Sequence, residues 1–311
     1  MPSNPPAGSA WPDLDVSHWS ATKRSVHAYA QMLGKLRVGL SPTQPNWMFT
    51  RLYLNARGLT TGAMPYGATV LEGVLDVFSS ELVLRCSTGA ERRIALVPAR
   101  TVAEIYADLL GALAALEVTV SLRPVPQEVP DTTPFDVDRR PAAYDPDAVQ
   151  RWFRAATATA NVFAAWRSRF FGRSGIPFWW GAFDLALLLF SGKHVPAPLD
   201  RGYLLKYDLD AELMNCGLYV GDEQTPPFFY GYIYPQPAGV ETLVMAPAAA
   251  SWSAALGEWV LPYATVRDAA APADELRAFL DALYANCIGA AGWDAAAHSY
   301  LAPPRHRQLP R

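Results

Sequence analysis

The spacing of apolar side chains divides the chain into helical and extended stretches. Val26, Tyr29, Ala30 and Leu33 recur at steps of three and four, the period of one helix face. They predict a helix over residues 19–33, capped by Ser17 or Ser20 and stopped at Gly34. Lys23, His27 and Gln31 share a second face of it at i, i+4 and i+8. From Leu36 the period falls to two. Residues 36–40 read as a strand, and 48–57 alternate Met48, Thr50, Leu52 and Leu54 against Phe49, Arg51, Tyr53, Asn55 and Arg57. Strands follow over 69–78, 82–87 and 93–97, joined by turns short enough to require antiparallel hairpins. Val102, Ile105, Leu109, Leu113 and Leu116 then mark the buried stripe of a helix over 101–116. Residues 118–122 read as one more strand.

Residues 123–145 carry five prolines and no period, and read as a connector lying on the surface. A long helix is predicted over 146–171, with Pro146 suited to its first turn. Residues 178–190 read as a strand buried on both faces. Further strands are expected at 215–220, 228–234 and 258–263, and a helix at 274–290. Residues 1–12 read as a loose arm and those after 302 as a frayed basic tail. The succession predicts an α+β fold of antiparallel sheets flanked by helices. It divides into two similar halves, 1–130 and an aromatic-rich 131–311, unless the two form one integrated domain.

Composition narrows the class. Aromatic residues make 12% of the chain and charged residues 18%, with a net charge of −3, which excludes disorder over most of its length and a general nucleic-acid binder. Three cysteines without close spacing give neither a disulfide framework nor a zinc site. The N-terminus has no signal-peptide pattern, and the longest apolar run, 178–190, is interrupted by Asp184 and too short for a bilayer. A cytoplasmic protein without membrane or nucleic-acid partners is expected. Only four of its 26 basic residues are Lys, a bias that, with the many Ala and Pro, suggests a GC-rich bacterial genome. The motifs GxGxxG, P-loop, GxSxG, HExxH and CxxC are absent, and the five histidines show no metal-ligand spacing. No metal site is expected, and no signature identifies a cofactor.

Four constellations carry candidate chemistry. His27 and Gln31 project together, with Lys35 and Arg37 near the predicted helix end. They read either as dipole-compensating charge or as an anion-binding corner with His27 as proton shuttle. Arg51, Tyr53, Asn55 and Arg57 line one strand face, with Glu72 and Asp76 on the neighbouring strand. Cross-strand ion pairs compete there with an Arg-lined ligand floor. Asp184 interrupts an apolar strand and must be paired, capping or functional. Tyr230, Tyr232 and Tyr234 share a face, with Gly231 opposite open to close approach and Glu212 upstream. They read as sheet packing or as a pocket wall.

The chain also resembles an uncharacterised bacterial family of about this length, known only as a domain of unknown function. The resemblance rests on Trp11-Pro12, Gly34-Lys35-Leu36-Arg37, Arg57-Gly58-Leu59-Thr60-Thr61, Pro134-Phe135-Asp136, Phe178-Trp179-Trp180-Gly181-Ala182-Phe183-Asp184, Leu261-Pro262-Tyr263 and Gly292-Trp293-Asp294. It covers nearly the whole chain and implies no activity. Other members look richer in histidine where this chain has Asn46-Trp47-Met48-Phe49 and Pro177-Phe178, which lowers the expectation of a metal here.

These readings converge on a protein binding a small polar or anionic ligand between two α+β halves. Lys35, Arg51 and Arg57 are the expected anion-binding residues, and Trp180, Tyr230 and Tyr232 the expected walls. His27, Asp184 and Glu212 are the candidate acids and bases if there is catalysis, which the sequence leaves open. The alternative is a non-catalytic interaction or structural protein whose aromatic segments form core and subunit interface, a homo-oligomer included.

Overall fold

A computed structural model describes residues 9–198, 200 and 203–299. Its first element, α1 (Val16–Leu40), is capped by Asp15, whose carboxylate accepts from the Ser17 N–H. Gly34 does not stop this helix. The Trp180 indole lies directly over it, where a Cβ would stand 2.3 Å from three ring carbons. The residue that reads as a terminator is the seat of an aromatic ring, and residues 36–40 are helix, not strand.

The first sheet has six antiparallel strands: β1 (Tyr53–Asn55), β2 (Gly58–Thr60), β3 (Met64–Tyr66), β4 (Thr69–Asp76), β5 (Glu81–Cys86) and β6 (Glu91–Ala95). Their order is β1-β2-β4-β5-β6, with β3 also on β4. Residues 46–50 form a turn through left-handed Asn46 and Trp47, so the alternation read over 48–57 produces a strand only at its end. Helix α2 (Val102–Ala115) opens with a capping box between Thr101 and Glu104 and buries the predicted stripe. Residues 118–122 form no strand.

The connector runs mostly over the surface, as expected, but is anchored inward. Phe135, Asp138 and Tyr144 are buried within it, and it lies against α1. Helix α3 (Pro146–Arg167) follows, capped by Asp145.

The second sheet has seven antiparallel strands: β7 (Ser174–Gly175), β8 (Phe178–Trp179), β9 (Asp184–His194), β10 (Ala211–Tyr219), β11 (Phe228–Tyr234), β12 (Ser251–Ser253) and β13 (Glu258–Pro262). The order is β12-β13-β11-β10-β9-β7, with β8 on β9. The predicted strand at 178–190 is thus two strands, broken at residues 180–183 where Phe183 takes a left-handed φ of 58°. Short helices α4 (Tyr203–Asp208) and α5 (Tyr263–Asp268), then α6 (Pro272–Ala291) and α7 (Ala295–His298), complete the described chain.

Alternation sorts this sheet into two faces. Leu185, Leu187, Met214, Cys216, Leu218, Phe229 and Ile233 face the core. Gly231 admits α6, since a Cβ there would stand 2.4 Å from Leu283. Asp184, Asn215, Tyr230 and Tyr232 share the opposite face. One apolar cluster runs from Trp11 through both sheets to Trp293, with Trp152 touching Trp19, Phe178 and Phe183. Leu52 and Phe178 exchange backbone hydrogen bonds of 3.0 and 2.9 Å between the halves.

The expected N-terminal arm is docked from Trp11 onward: its ring meets Phe229 and Tyr263, and the Tyr263 hydroxyl donates to Pro12 O at 2.9 Å. Residues 1–8 and the predicted tail after 302 lie outside the described residues. All three cysteines are free thiols. No helix among the described residues is long and apolar enough to cross a membrane.

Gly34→Ala tests the seat of Trp180. Alanine favours helix over glycine by about 1 kcal/mol, but overpacking costs about 1–3 kcal/mol. The Trp180 Nε1–H donates to Thr50 O at 2.9 Å, which opposes movement of the ring. A net loss of about 1 kcal/mol is expected in urea denaturation followed by tryptophan fluorescence; a stabilised variant would remove the indole from Gly34.

Candidate functional site

The polar face of α1 is buried, and each of its members reaches backbone far along the chain. Lys23 Nζ donates to Gly221 O at 2.5 Å and lies 4.6 Å from the Tyr219 ring centre. His27 Nε2 lies 2.8 Å from Trp180 O and 2.9 Å from Gly181 O. Two carbonyl acceptors require a donor, so Nε2 carries the proton. The Gln31 amide nitrogen, 3.2 Å from the same Nε2, is then a neighbour and no partner. Its own bonds are a two-point clasp on Gln127, donating to the carbonyl at 2.8 Å and accepting from the N–H at 2.8 Å. Further along, Arg37 donates to Thr61 O at 2.7 Å.

Between this face, the connector and the 219–224 loop lies a cleft of about 540 Å³. Lys23, His27 and Gln31 form one wall; Glu128, Phe135 and Arg140 stand across from them, with Ala182, Tyr219 and Asp222 also lining it. Burial lowers the Lys23 ammonium to a pKa of about 8 despite Asp222 and Asp184 nearby. Burial likewise pushes His27 down to about 4, so the ring is neutral at pH 7. Its Nδ1 has no hydrogen-bond partner among the described residues and is not sealed from solvent.

Two features of the cleft carried no signal in the sequence. Glu128 takes a left-handed φ of 57° and lays its carboxyl over Gly181, where a Cβ would stand 2.6 Å from it. Glu128 is an exposed residue whose carboxyl has no hydrogen-bond or ion-pair partner among the described residues; partial desolvation where it lies over Gly181 raises its pKa. Asp222 accepts from the Tyr219 hydroxyl and from the Gln224 and Thr225 N–H groups. Both residues lie in segments without hydrophobic period, where only the fold brings them to α1.

The residues singled out in the sequence fall in different places. His27 lines the cleft. Asp184 pairs across the sheet with Tyr219, which also lines it. Burial raises Asp184 to about 7, against the Tyr230 hydroxyl that donates to its Oδ2; Oδ1 has no partner among the described residues. Tyr232 accepts from Asn215 Nδ2 at 3.1 Å. Neither tyrosine nor Trp180 lines the cleft. Lys35 Nζ lies between the Trp180 and Phe135 rings, 5.7 and 5.9 Å from their centres. Arg51 donates to the Tyr53 hydroxyl at 2.8 Å. Arg57 pairs with Asp76 at 2.7 Å over the Phe78 ring. Glu212 accepts from Ser191 at 2.7 Å and faces Lys193 at 3.5 Å. Arg57, Asp184 and Glu212 therefore do not meet in one pocket. No group of three metal-ligating side chains stands together among the described residues.

The family of unknown function DUF5996 matches the chain over residues 11–300. No curated protein and no solved structure matches it.

The raised Asp184 has a pH consequence of definite sign. Its folded pKa of about 7 lies above its unfolded value, so its stabilising proton is lost, and stability with it, as pH rises from about 4 to 7. Asp184→Asn keeps an oxygen for the Tyr230 hydroxyl and cannot ionise. From pH 5 to pH 8 the unfolding free energy of this variant should improve on that of the wild type by about 2 kcal/mol. Parallel urea titrations measure it; a constant difference would mean that Asp184 ionises normally.

Proposed function

The chain belongs to DUF5996, a family of unknown function, and on that premise we propose that it binds a small polar molecule in the cleft between its two halves. The observation that supports this is the wall of α1. Three polar side chains at i, i+4 and i+8 are each at least nine-tenths buried, yet all border an open volume of about 540 Å³. That volume lies within the range of small-molecule sites, roughly 300–1,000 Å³. Phe135 and Val102 supply apolar surface, while Lys23, His27, Gln31 and Glu128 supply directional groups. Of the three candidate acids and bases, His27 is the one that borders this volume, and its neutral ring could accept a proton from a bound hydroxyl or amine.

Thermal-shift screening of the full chain against a library of polar metabolites tests the reading. A ligand at about 100 times its Kd contributes about 2.7 kcal/mol and should raise Tm by about 5 °C. Ala28→Trp, which fills the cleft from α1, should abolish the shift. Arg57→Ala should retain it, because Arg57 holds Asp76. Absence of any shift, or a shift that survives Ala28→Trp, would refute the cleft as the site.

A further inference from the structure

The expectation of an anionic ligand rests on the Arg and Lys residues of the sequence, and the structure has already engaged most of them. Arg140 is held by Asp131 and Asp138. Lys23 is held by Gly221 O and the Tyr219 ring, beside Asp222. Arg24 stands exposed at the cleft's rim. Besides Arg24, the Glu128 carboxyl and His27 Nδ1 stand on the cleft as acceptors without partners among the described residues, and so do Asp184 Oδ1 and Asn215 Oδ1 on the sheet face behind Tyr219; the unpartnered donors Trp19 Nε1, Arg37 Nε and Trp152 Nε1 do not line the cleft. Asp184 and Asn215 are only 5% and 6% exposed.

Two further carboxyls belong to this layer. Glu258 lies within electrostatic reach of Asp184, and Asp208 within reach of Glu128. Each is raised to about 7, chiefly by burial and then by a neighbouring charge, Asp184 for Glu258 and Glu128 for Asp208. Asp184 feels Glu128 as well. Glu128 is exposed on the cleft; of the other three carboxyls Asp184 is buried, and Asp208 and Glu258 are half-buried. These carboxyls interact through space but form no set of three that could close on a single metal ion. Charge spread over several ångströms suits a cation whose donors are equally spread.

We propose that the cleft takes an organic polyamine, one ammonium group bound by Glu128 and the chain lying along the acceptor-rich wall toward His27 and Asp184. This rests on the cleft being a ligand site at all. Each incoming positive charge favours ionised carboxyls, so binding near pH 7 releases protons.

Calorimetry on the full chain in 150 mM KCl tests this with three probes of similar length: putrescine, 1,4-butanediol and succinate. Putrescine should bind, with a heat that changes between phosphate and Tris buffers as protons are released. Butanediol and succinate should not bind. Glu128→Gln should weaken putrescine at least tenfold and Asp184→Asn a few-fold, with Glu117→Gln, on the exposed end of α2, unchanged. Equal binding to Glu128→Gln and wild type would overturn the proposal, as would succinate binding in preference to putrescine. If putrescine fails while a library ligand still gives an Ala28→Trp-sensitive shift, the polyamine is wrong and the cleft remains a site. If nothing binds, both readings fall.

Discussion

The architecture turns on one requirement: the polar stripe of α1 is buried, and a buried polar group without a partner costs about 1–3 kcal/mol. A helix has no spare backbone groups along its middle, so the partners come from elsewhere. Lys23 takes the carbonyl of Gly221, His27 those of Trp180 and Gly181, Gln31 both groups of Gln127, and Arg37 the carbonyl of Thr61. Each bond fixes a loop from a different part of the chain. Together they draw the first sheet, the connector and the break between β8 and β9 onto one helix. The cleft is the space these loops leave where they do not touch one another. The same contacts that hold the halves together therefore shape the candidate site.

This explains what was legible in the sequence. Apolar period located α2, β11, β13 and α6 almost to the residue, because their burial is one-sided and repeats along the element. The Lys23-His27-Gln31 face was legible for the same reason. Gly34 misled because a glycine that ends a helix and one that admits an indole look alike until the indole's origin, 146 residues later, is known. Residues 36–40 then took the strand reading by default. The surface course of the connector was legible because proline marks irregular backbone and irregular backbone is usually superficial, but its anchors were not. Here Phe135 and Tyr144 anchor it in the core. Glu128 and Asp222 had no local pattern, since Glu128 is placed by the bonds of its neighbour Gln127 to Gln31 across 96 residues, and Asp222 lies beside Lys23 from 199 residues away.

Arg57 and Asp184 show why chemistry is harder to read than fold. Both were plausible site residues by type. Asp76 lies across from Arg57 and receives its guanidinium together with the N–H groups of Phe78 and Ser79. Burial would raise its pKa, but these donors hold it below the usual range, as in a carboxylate that serves structure. Asp184 receives the Tyr230 hydroxyl and its own backbone N–H but no arginine, and burial prevails. The two positions differ by the donors supplied around them, a property of the neighbouring strands that no residue type encodes.

The same contrast separates the carboxyls of the whole molecule. Asp131, Asp138 and Glu91 are each met by arginine and held below their ordinary values, by hydrogen bonds above all. Asp184, Asp208 and Glu258 are met by none and sit near pH 7. With 22 arginines in the chain, the shortage is one of placement and not of supply. A layer of acids kept from every arginine sits poised between charged and neutral forms. Its own repulsion limits how many can ionise together, and a positive charge brought to Glu128 would relieve that limit. On the proposal of a cationic ligand, the carboxyls that no arginine meets and the open volume beside Glu128 have one explanation.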